Sequence, residues 1–408
     1  MRIGVGLHLL APDNGGVTNY ALTLLRLWPL HAPEHPMVLF SFDHNDALLD
    51  TLPPATRRHE IRMRTQEDAF SHASEIDVYF CPFGTLWPRP FPKPAVLTFH
   101  DMQERFHPEY FTSAELAERF FHYDWSLRMA DSVIAVSSFT KSMAVSLTGI
   151  RASKCHVVHH VPDELPSALM PSRFPFADRP FVFYPANFWK HKNHNRLVEA
   201  MRRVCASNPD LCLVCTGSLL NQEKTWADMV KDTGCGKRIA HLGRLKRSEI
   251  AWLYQHARAL IFPSLFEGFG IPLIEAMQAG CPIACARNTS QPEVAGTAAL
   301  YFDAESVDSI SDAIQRICAD AGLRTQLASE GSRRIARYST RDFIDGHLRA
   351  FQDAIRGRSS VQAWLNRNIR LPRSLMARTE LSPREKRTAV RLLARSASVP
   401  AGAPVVEA

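Results

Sequence analysis

No run of about 18 apolar residues occurs anywhere in the 408-residue chain, which excludes a conventional membrane-spanning helix. The opening MRIGVGLHLL runs straight into APDNGG, without the long apolar segment and small-residue cleavage site of a secretory leader. The chain therefore reads as untargeted, soluble and cytoplasmic. Its nine cysteines are odd in number and lack framework spacing, which excludes a disulfide scaffold and fits buried free thiols in a reducing compartment. Cys212 and Cys215 form one CxxC inside the apolar run LCLVC. No second CxxC accompanies it, and a strand would turn the two side chains to opposite faces, so zinc or redox chemistry is not expected. No DxD occurs, and neither His156, His159 and His160 nor His191 and His194 are completed by a carboxylate cluster, so no metal and no bound cofactor are expected. The sequon Asn288-Thr289-Ser290 reads as accidental. With 46% hydrophobic and 22% charged residues, disorder, collagen-like repeats and a coiled coil are excluded as the main architecture. The length predicts two or three domains.

The formal charge of +7 is concentrated in one place. Between Arg356 and Arg395 eleven basic residues stand against Glu380 and Glu385, a local +9 that leaves −2 for the rest of the chain. The body is thus near neutral, and no nucleic-acid surface is expected on it. The basic residues of the tail alternate with Trp364, Leu365, Ile369, Leu371, Leu375, Leu392 and Leu393, interrupted by Pro372 and Pro383. Short basic amphipathic helices on an anionic membrane have this pattern, which would make the protein peripheral on the inner face of the plasma membrane. A solvated, partly disordered terminus has it too.

Elsewhere, apolar runs ending in polar or glycine-rich turns alternate with helical-period segments, the pattern of α/β folds with doubly wound parallel sheets. Strands are expected at 2–9, 37–42, 76–80, 95–100, 132–136 and 155–159, with helices at 17–28, 114–129 and 139–147. A second series has strands at 181–184, 211–216, 238–242, 259–262 and 282–284, with helices at 193–205, 247–256, 272–279 and 307–319. The expected organisation is an N-terminal Rossmann-like domain over 1–162, a proline-containing linker over 163–180, and a C-terminal Rossmann-like domain over 181–340. A helix over 341–357 would close the second domain, followed by the tail over 358–408. Open parallel sheets bind ligands beyond the carboxyl ends of their strands, so a cleft between the two domains is the default site.

The segment PSLFEGFGIPLIEAM, Pro263 to Met277, carries the most chemistry. A strand runs into a loop with two glycines, and Pro272 stands where a first helical position is expected. Free backbone N–H groups at such a turn bind anions, and glycine lets a ligand approach the main chain. Glu267 and Glu275 flank the turn, a carboxylate pair suited to holding vicinal sugar hydroxyls.

This segment resembles the two-glutamate motif, with seven residues between the glutamates, of retaining family 4 glycosyltransferases of the GT-B fold. The stretch AMQAGCPIACARNTSQPEVAGTAALYF after it, the upstream FVFYPANFWKHKN and the earlier ADSVIAVSSFTKSMA are similar to further family segments in the same order. The resemblance covers about residues 1–350. It implies that Glu275 binds the ribose hydroxyls of a nucleotide sugar and Glu267 faces the donor sugar. The backbone of Phe269, Gly270 and Ile271 would meet sugar hydroxyls and diphosphate. Lys192 would neutralise the leaving phosphate, and Gly15 and Gly16 would approach the diphosphate. Backbone near Arg244 and Leu245 would line the base pocket. His100, ending the apolar run AVLTFH before Asp101, resembles the family histidine that positions the donor sugar. Asn187 departs from the pattern, because the family usually has an arginine there. One cation is missing, and either Asn187 donates a hydrogen bond instead or Lys190 compensates.

The resemblance implies transfer of a hexose from a nucleotide diphosphate sugar to a hydroxyl of a glycan or lipid-linked acceptor, by front-face displacement with the two domains drawn together. FWKHKN leans towards bacterial surface polysaccharide mannosyltransferases using GDP-mannose; a UDP-sugar stays open. The rivals are a sugar-nucleotide hydrolase or epimerase, a non-catalytic sugar-nucleotide-binding protein, and nucleic-acid binding through the tail. The proline run Cys81–Pro94 reads as an extended loop.

Overall fold

The computed structural model describes residues 1–88, 91–176 and 179–357. Apart from Arg356 and Gly357, the basic segment expected to meet a membrane lies outside the described residues. The described residues form two compact units, one of residues 1–160 with 340–357, the other Val161–Ser339.

The first unit holds β1 (Ile3–Gly6), β2 (Met37–Ser41), β3 (Glu60–Arg62), β4 (Val78–Cys81), β5 (Ala95–Phe99), β6 (Ser132–Ala135) and β7 (Cys155–Val157), with α1 (Gly15–His31), α2 (Asp46–Leu49), α3 (Gln66–Ser71), α4 (Ser113–Met129) and α5 (Ser138–Thr148) between them. The strands pair in the order β3-β2-β1-β4-β5-β6-β7, all parallel. Strands buried on both faces read as continuous apolar runs, and β1, β2, β4, β5 and β6 are buried at every residue. β3 escaped the sequence reading because Glu-Ile-Arg has no such run. It sits at the sheet edge, where charged side chains discourage further pairing.

Successive residues of β4 point to opposite faces and show both halves of this core. The Tyr79 ring stacks on Phe91 with centroids 4.0 Å apart. Phe80 packs on the other side against Phe351, 5.2 Å away.

The second unit holds β8 (Phe181–Pro185), β9 (Cys212–Thr216), β10 (Ile239–His241), β11 (Ala259–Phe262), β12 (Ile283–Ala286) and β13 (Ala299–Phe302), with α6 (His194–Ser207), α7 (Glu223–Asp232), α8 (Arg247–His256), α9 (Ile271–Gln278), α10 (Gln291–Ala295), α11 (Val307–Ala319) and α12 (Ala321–Arg334). Its strand order, β10-β9-β8-β11-β12-β13, is again all parallel. The segment expected as a linker is part of this unit: Leu169 N donates to Ser248 O at 3.0 Å, and Phe174 packs edge-on against Phe181 and Trp252.

The last helix, α13 (Thr340–Gly357), corrects the sequence reading. It was expected to close the second domain, yet it packs on β4, β5, β6 and α1 of the first unit. Phe343, His347 and Phe351, four residues apart on one face, are all buried. A Cβ at Gly346 would lie 2.7 Å from Val158 Cγ2, so glycine there permits the close approach to the end of β7. His347 Nδ1 donates to Phe343 O at 2.7 Å, which leaves Nε2 to accept from the Tyr20 hydroxyl at 2.5 Å. Thr98 Oγ1 completes the chain, 2.9 Å from Tyr20. Burial holds His347 neutral, with its pKa pushed down to about 4. Helices α1 and α13 and strand β5 thus share one buried, satisfied polar cluster.

Tyr20→Phe removes the shared hydroxyl and strands both its partners, so a loss of about 1–3 kcal/mol is expected, read as a lower urea midpoint for the first unit.

Candidate active site

In the second unit, β8 and β11 are neighbours where the strand order reverses, and ligands of open α/β sheets bind outside the carboxyl ends at such a point. The loops leaving these two strands carry most of the nominated residues. Leu265 N donates to His191 O at 2.8 Å and joins them. Asn193, in the left-handed region at φ 60°, donates through Nδ2 to Pro263 O and Ala304 O at 3.0 and 2.8 Å. The Tyr184 hydroxyl donates to Lys192 O at 2.8 Å. These bonds fix the Lys192 backbone, and its Nζ reaches Glu267 Oε1 at 2.6 Å. The pair is largely shielded, with side chains 18% and 11% exposed. Two residues 75 positions apart thereby form one preorganised ion pair.

The glutamate loop is held from behind by the segment that contains the sequon. Thr289 Oγ1 accepts from Glu267 N at 3.2 Å, and Ser290 Oγ donates to Glu267 O and Phe269 O at 3.0 and 3.1 Å. Asn288 and Gln291 donate to Ser264 O. The apparent sequon is therefore scaffolding for the loop. Gly270, at φ 96°, is the N-cap of α9, a conformation that favours glycine. Ile271 is the first helical residue and Pro272 the second, one position later than expected. No acidic residue occupies the first turn, and the amide groups there suit an anion.

Glu275, the fifth residue of α9, is 8% exposed. Its Oε1 accepts from Arg247 Nη1 at 2.8 Å and its Oε2 from the Tyr254 hydroxyl at 3.0 Å. Arg247 and Tyr254 stand seven residues apart on α8, hence on one face. Arg247 also lies 3.7 Å from Asp163. Sequence reading missed this orientation of Glu275; the i, i+7 spacing was its one available signal. Each carboxylate oxygen keeps a lone pair for a further donor. Arg244 and Leu245 lie in the turn between β10 and α8.

Asn187 faces inward through its side-chain carbonyl, which accepts from Ser218 N at 2.8 Å. A Cβ at neighbouring Gly217 would lie 2.5 Å from Ala186 O, and its φ is 121°. The loop after β9 therefore presses directly on the Asn187 loop. Only the amide Nδ2 of Asn187 remains as a donor, and Lys190 is exposed.

In the first unit, Gly15 (φ 53°) and Gly16 begin α1, whose N-cap Asn14 makes no side-chain capping bond. The preceding turn is closed by Thr18 Oγ1 donating to Ala11 O and Asn14 Nδ2 to Leu9 O. His100 follows β5, with Nε2 2.7 Å from Pro82 O. Burial pushes its pKa down to about 4, against the opposing pull of that carbonyl. The neutral ring donates Nε2–H to Pro82, so Nδ1 carries the lone pair and can accept from a hydroxyl.

Glu104, four residues on, went unnoticed in the sequence. It is 1% exposed, and neither carboxyl oxygen has a hydrogen-bond partner. Arg105 Nε lies 4.0 Å away and pairs through Nη2 with Asp124 at 2.7 Å. Burial, reinforced by the charge of Asp101, raises the Glu104 pKa to about 7.

Eight of the nine cysteines are buried and all nine are free. Among the described residues, no group of three or more His, Cys, Asp or Glu is placed to hold a metal ion, and no helix is long and apolar enough to cross a membrane.

The folded chain keeps the Glu104 proton up to about pH 7, whereas an unfolded carboxyl releases it near pH 4.3. The unfolded state thus binds fewer protons in that window, and stability falls as pH rises through it. The buried neutral His100 and His347 act in the opposite sense between pH 4 and 6.5, so Glu104 is read as a difference: in thermal unfolding from pH 4 to 8, Glu104→Gln should gain stability relative to wild type as pH rises.

Residues 14–164 match the sequence model of Glycosyltransferase Family 4, and residues 169–334 that of Glycosyl transferases group 1. The O-antigen chain mannosyltransferase B of Escherichia coli is 28% identical over 273 residues, 63% of this chain and 70% of that protein. An O-antigen chain mannosyltransferase of Salmonella typhimurium is 25% identical over 223 residues, 54% of this chain and 60% of that protein. A GDP-mannose-dependent phosphatidylinositol monomannoside mannosyltransferase of Mycolicibacterium smegmatis is 27% identical over 206 residues, 47% of this chain and 54% of that protein. Among solved structures, sucrose-phosphate synthase of Thermosynechococcus elongatus superposes with TM-score 0.69 at 18% identity, covering 86% of this chain and 98% of that one. Anabaena HepE in complex with UDP and glucose gives TM-score 0.70 at 17% identity, covering 86% and 99%. The two Rossmann-like units are those of the GT-B fold, and the chain belongs to glycosyltransferase family 4.

Proposed function

We propose that the protein is a retaining hexosyltransferase that moves a sugar, mannose in preference, from a nucleotide diphosphate sugar to a hydroxyl of a glycan or lipid-linked acceptor in surface polysaccharide synthesis. The observation that carries this reading is the Lys192–Glu267 pair at 2.6 Å beside the α9 N-terminus, with Glu275 held by Arg247 and Tyr254 just beyond. Three mannosyltransferases among the relatives, one named as GDP-mannose-dependent, support a mannose donor, GDP-mannose in preference to a UDP-sugar.

In this reading the first-turn amides of α9 and the Lys192 ammonium receive the diphosphate. Negative charge grows on the leaving phosphate as the glycosidic bond breaks, and a cation already in place stabilises it without reorganisation. Glu267 aligns Lys192 and faces the donor hexose. Glu275 accepts from the ribose hydroxyls, its orientation set by two donors. His100, neutral and with Nδ1 free of a proton, accepts a hydrogen bond from a sugar hydroxyl and positions the sugar. The leaving phosphate takes the acceptor proton, so no protein nucleophile is required. Lys192 is the cation assigned to the phosphate, so a chelator should leave the rate unchanged.

The test separates binding from turnover. Glu275→Ala should weaken nucleotide binding by roughly ten- to a hundredfold, as expected when a charge-assisted pair of hydrogen bonds is lost. Lys192→Ala should lower kcat by about 10²–10³, and Glu267→Ala should act mainly on kcat. Calorimetry with GDP, UDP and ADP and steady-state transfer assays read the two effects; equal loss of both parameters in every variant would count against the assignment. Release of free sugar without acceptor would favour a hydrolase, and nucleotide binding without turnover a non-catalytic protein.

A further inference from the structure

Six tryptophans fall among the described residues, and five of them, Trp28, Trp87, Trp125, Trp226 and Trp252, are buried or half-buried. Trp189 is the exception, with 48% of its surface in solvent. Leaving so large an apolar ring in water forgoes much of the free energy its burial would contribute, so its exposure calls for an account.

Looseness of the segment does not supply one, because the backbone around Trp189 is tied at almost every residue. Phe188 N donates to Ser218 O at 2.8 Å, Trp189 N to Asn187 O at 2.8 Å, and Lys192 N to Trp189 O at 2.9 Å. Gln222 Nε2 donates to Phe188 O at 3.4 Å. The preceding side chain, Phe188, turns inward onto His194 and Trp226, with ring centroids 4.9 and 6.0 Å away. A rigid turn therefore buries one aromatic and presents the next. Among the described residues, Trp189 makes no ring contact and no side-chain hydrogen bond. Its π face and its indole N–H are both available to a ligand.

The same turn carries Lys192 three residues later, and through Lys192 it reaches Glu267. An exposed, preorganised indole thus stands on the loop that bears the charged pair. The apolar C–H face of a pyranose suits the electron-rich face of an indole, and its hydroxyls suit the N–H. The nucleotide-sugar contacts assigned above are taken by other residues. A platform left open to solvent fits the larger partner, a glycan that approaches from outside.

We propose that Trp189 is the stacking platform for a pyranose ring of the acceptor glycan, and so a determinant of acceptor affinity; this rests on the reading of the site as a glycosyltransferase centre. A rigid ring with two χ angles loses little conformational freedom on binding, so its contribution should appear in acceptor affinity more than in turnover.

The experiment uses the full chain with saturating GDP or UDP, whichever binds, and linear mannotriose and maltotriose as probes. Saturation-transfer NMR gives trisaccharide affinity for wild type, Trp189→Ala and Trp189→Phe; calorimetry on the same samples gives nucleotide affinity. We expect a trisaccharide to bind wild type, to lose about tenfold or more in Trp189→Ala, and to recover most of the loss in Trp189→Phe. Nucleotide affinity within about twofold of wild type would show that the Lys192 loop is intact. Trisaccharide affinity unchanged in Trp189→Ala overturns the proposal, as does a wild type that binds nucleotide but neither trisaccharide. Loss of binding to anionic phospholipid vesicles in Trp189→Ala, with trisaccharide affinity untouched, also overturns it and assigns the ring to a membrane surface. Failure of wild type to bind any nucleotide is a different result, which removes the donor-site reading itself.

Discussion

Parallel strand pairing is the constraint from which the rest of this protein follows. When every strand of a sheet runs the same way, every loop at the carboxyl edge leaves in the same direction, and each return needs a crossover on one face. The chain meets that requirement twice, in a seven-stranded and a six-stranded sheet. Strands covered on both faces must be apolar throughout, so polar chemistry is driven to their ends. Asn187, Lys192, Glu267 and Gly270 lie on loops after two adjacent strands of one sheet; His100 follows a strand of the other. The gathering of the first four, within the second unit, is a consequence of topology before any of their hydrogen bonds is considered.

Within that frame, the second unit spends its polar side chains on orientation. Lys192 is fixed through its carbonyl by Tyr184 before its ammonium meets Glu267. Thr289 and Ser290 clasp the backbone of the glutamate loop. Arg247 and Tyr254 aim Glu275. Each charged group is held by neighbours whose own positions are set by helices and strands, which is how a site stabilises charge without rearranging as it develops. Asn187 shows the other side of this arrangement. Its carbonyl anchors the neighbouring loop, and the position supplies an amide donor in place of a cation.

The first unit solves a different problem. Its sheet needs cover on the face of Phe80, and the last described helix of the chain supplies it, after the whole second unit has been built. Tyr20, Thr98 and His347 come from α1, β5 and α13, and all three groups are satisfied together. Nothing in the periodicity of α13 could disclose its partner, because an amphipathic stripe records that a face is buried and says nothing of which sheet buries it. The assignment of this helix to the second domain failed for that reason.

The two-domain α/β architecture, nearly all the central strands and the glutamate motif were legible in the residues, because apolar runs, glycine turns and the Glu267–Glu275 spacing are local signals. Three kinds of feature were not. Edge strands such as Glu60–Arg62 carry no apolar run. Supporting groups such as Thr289, Ser290 and Tyr254 have no signature outside the contacts they make. Glu104 looks like any surface carboxylate until folding removes its water and leaves its oxygens without a hydrogen-bond partner. The sequence by itself determined most of the segments that are strands and helices and which residue types stand at their ends. Tertiary structure alone decided which of those residues meet and in what charge state, since proximity and desolvation are properties of the packed chain and no single segment possesses them.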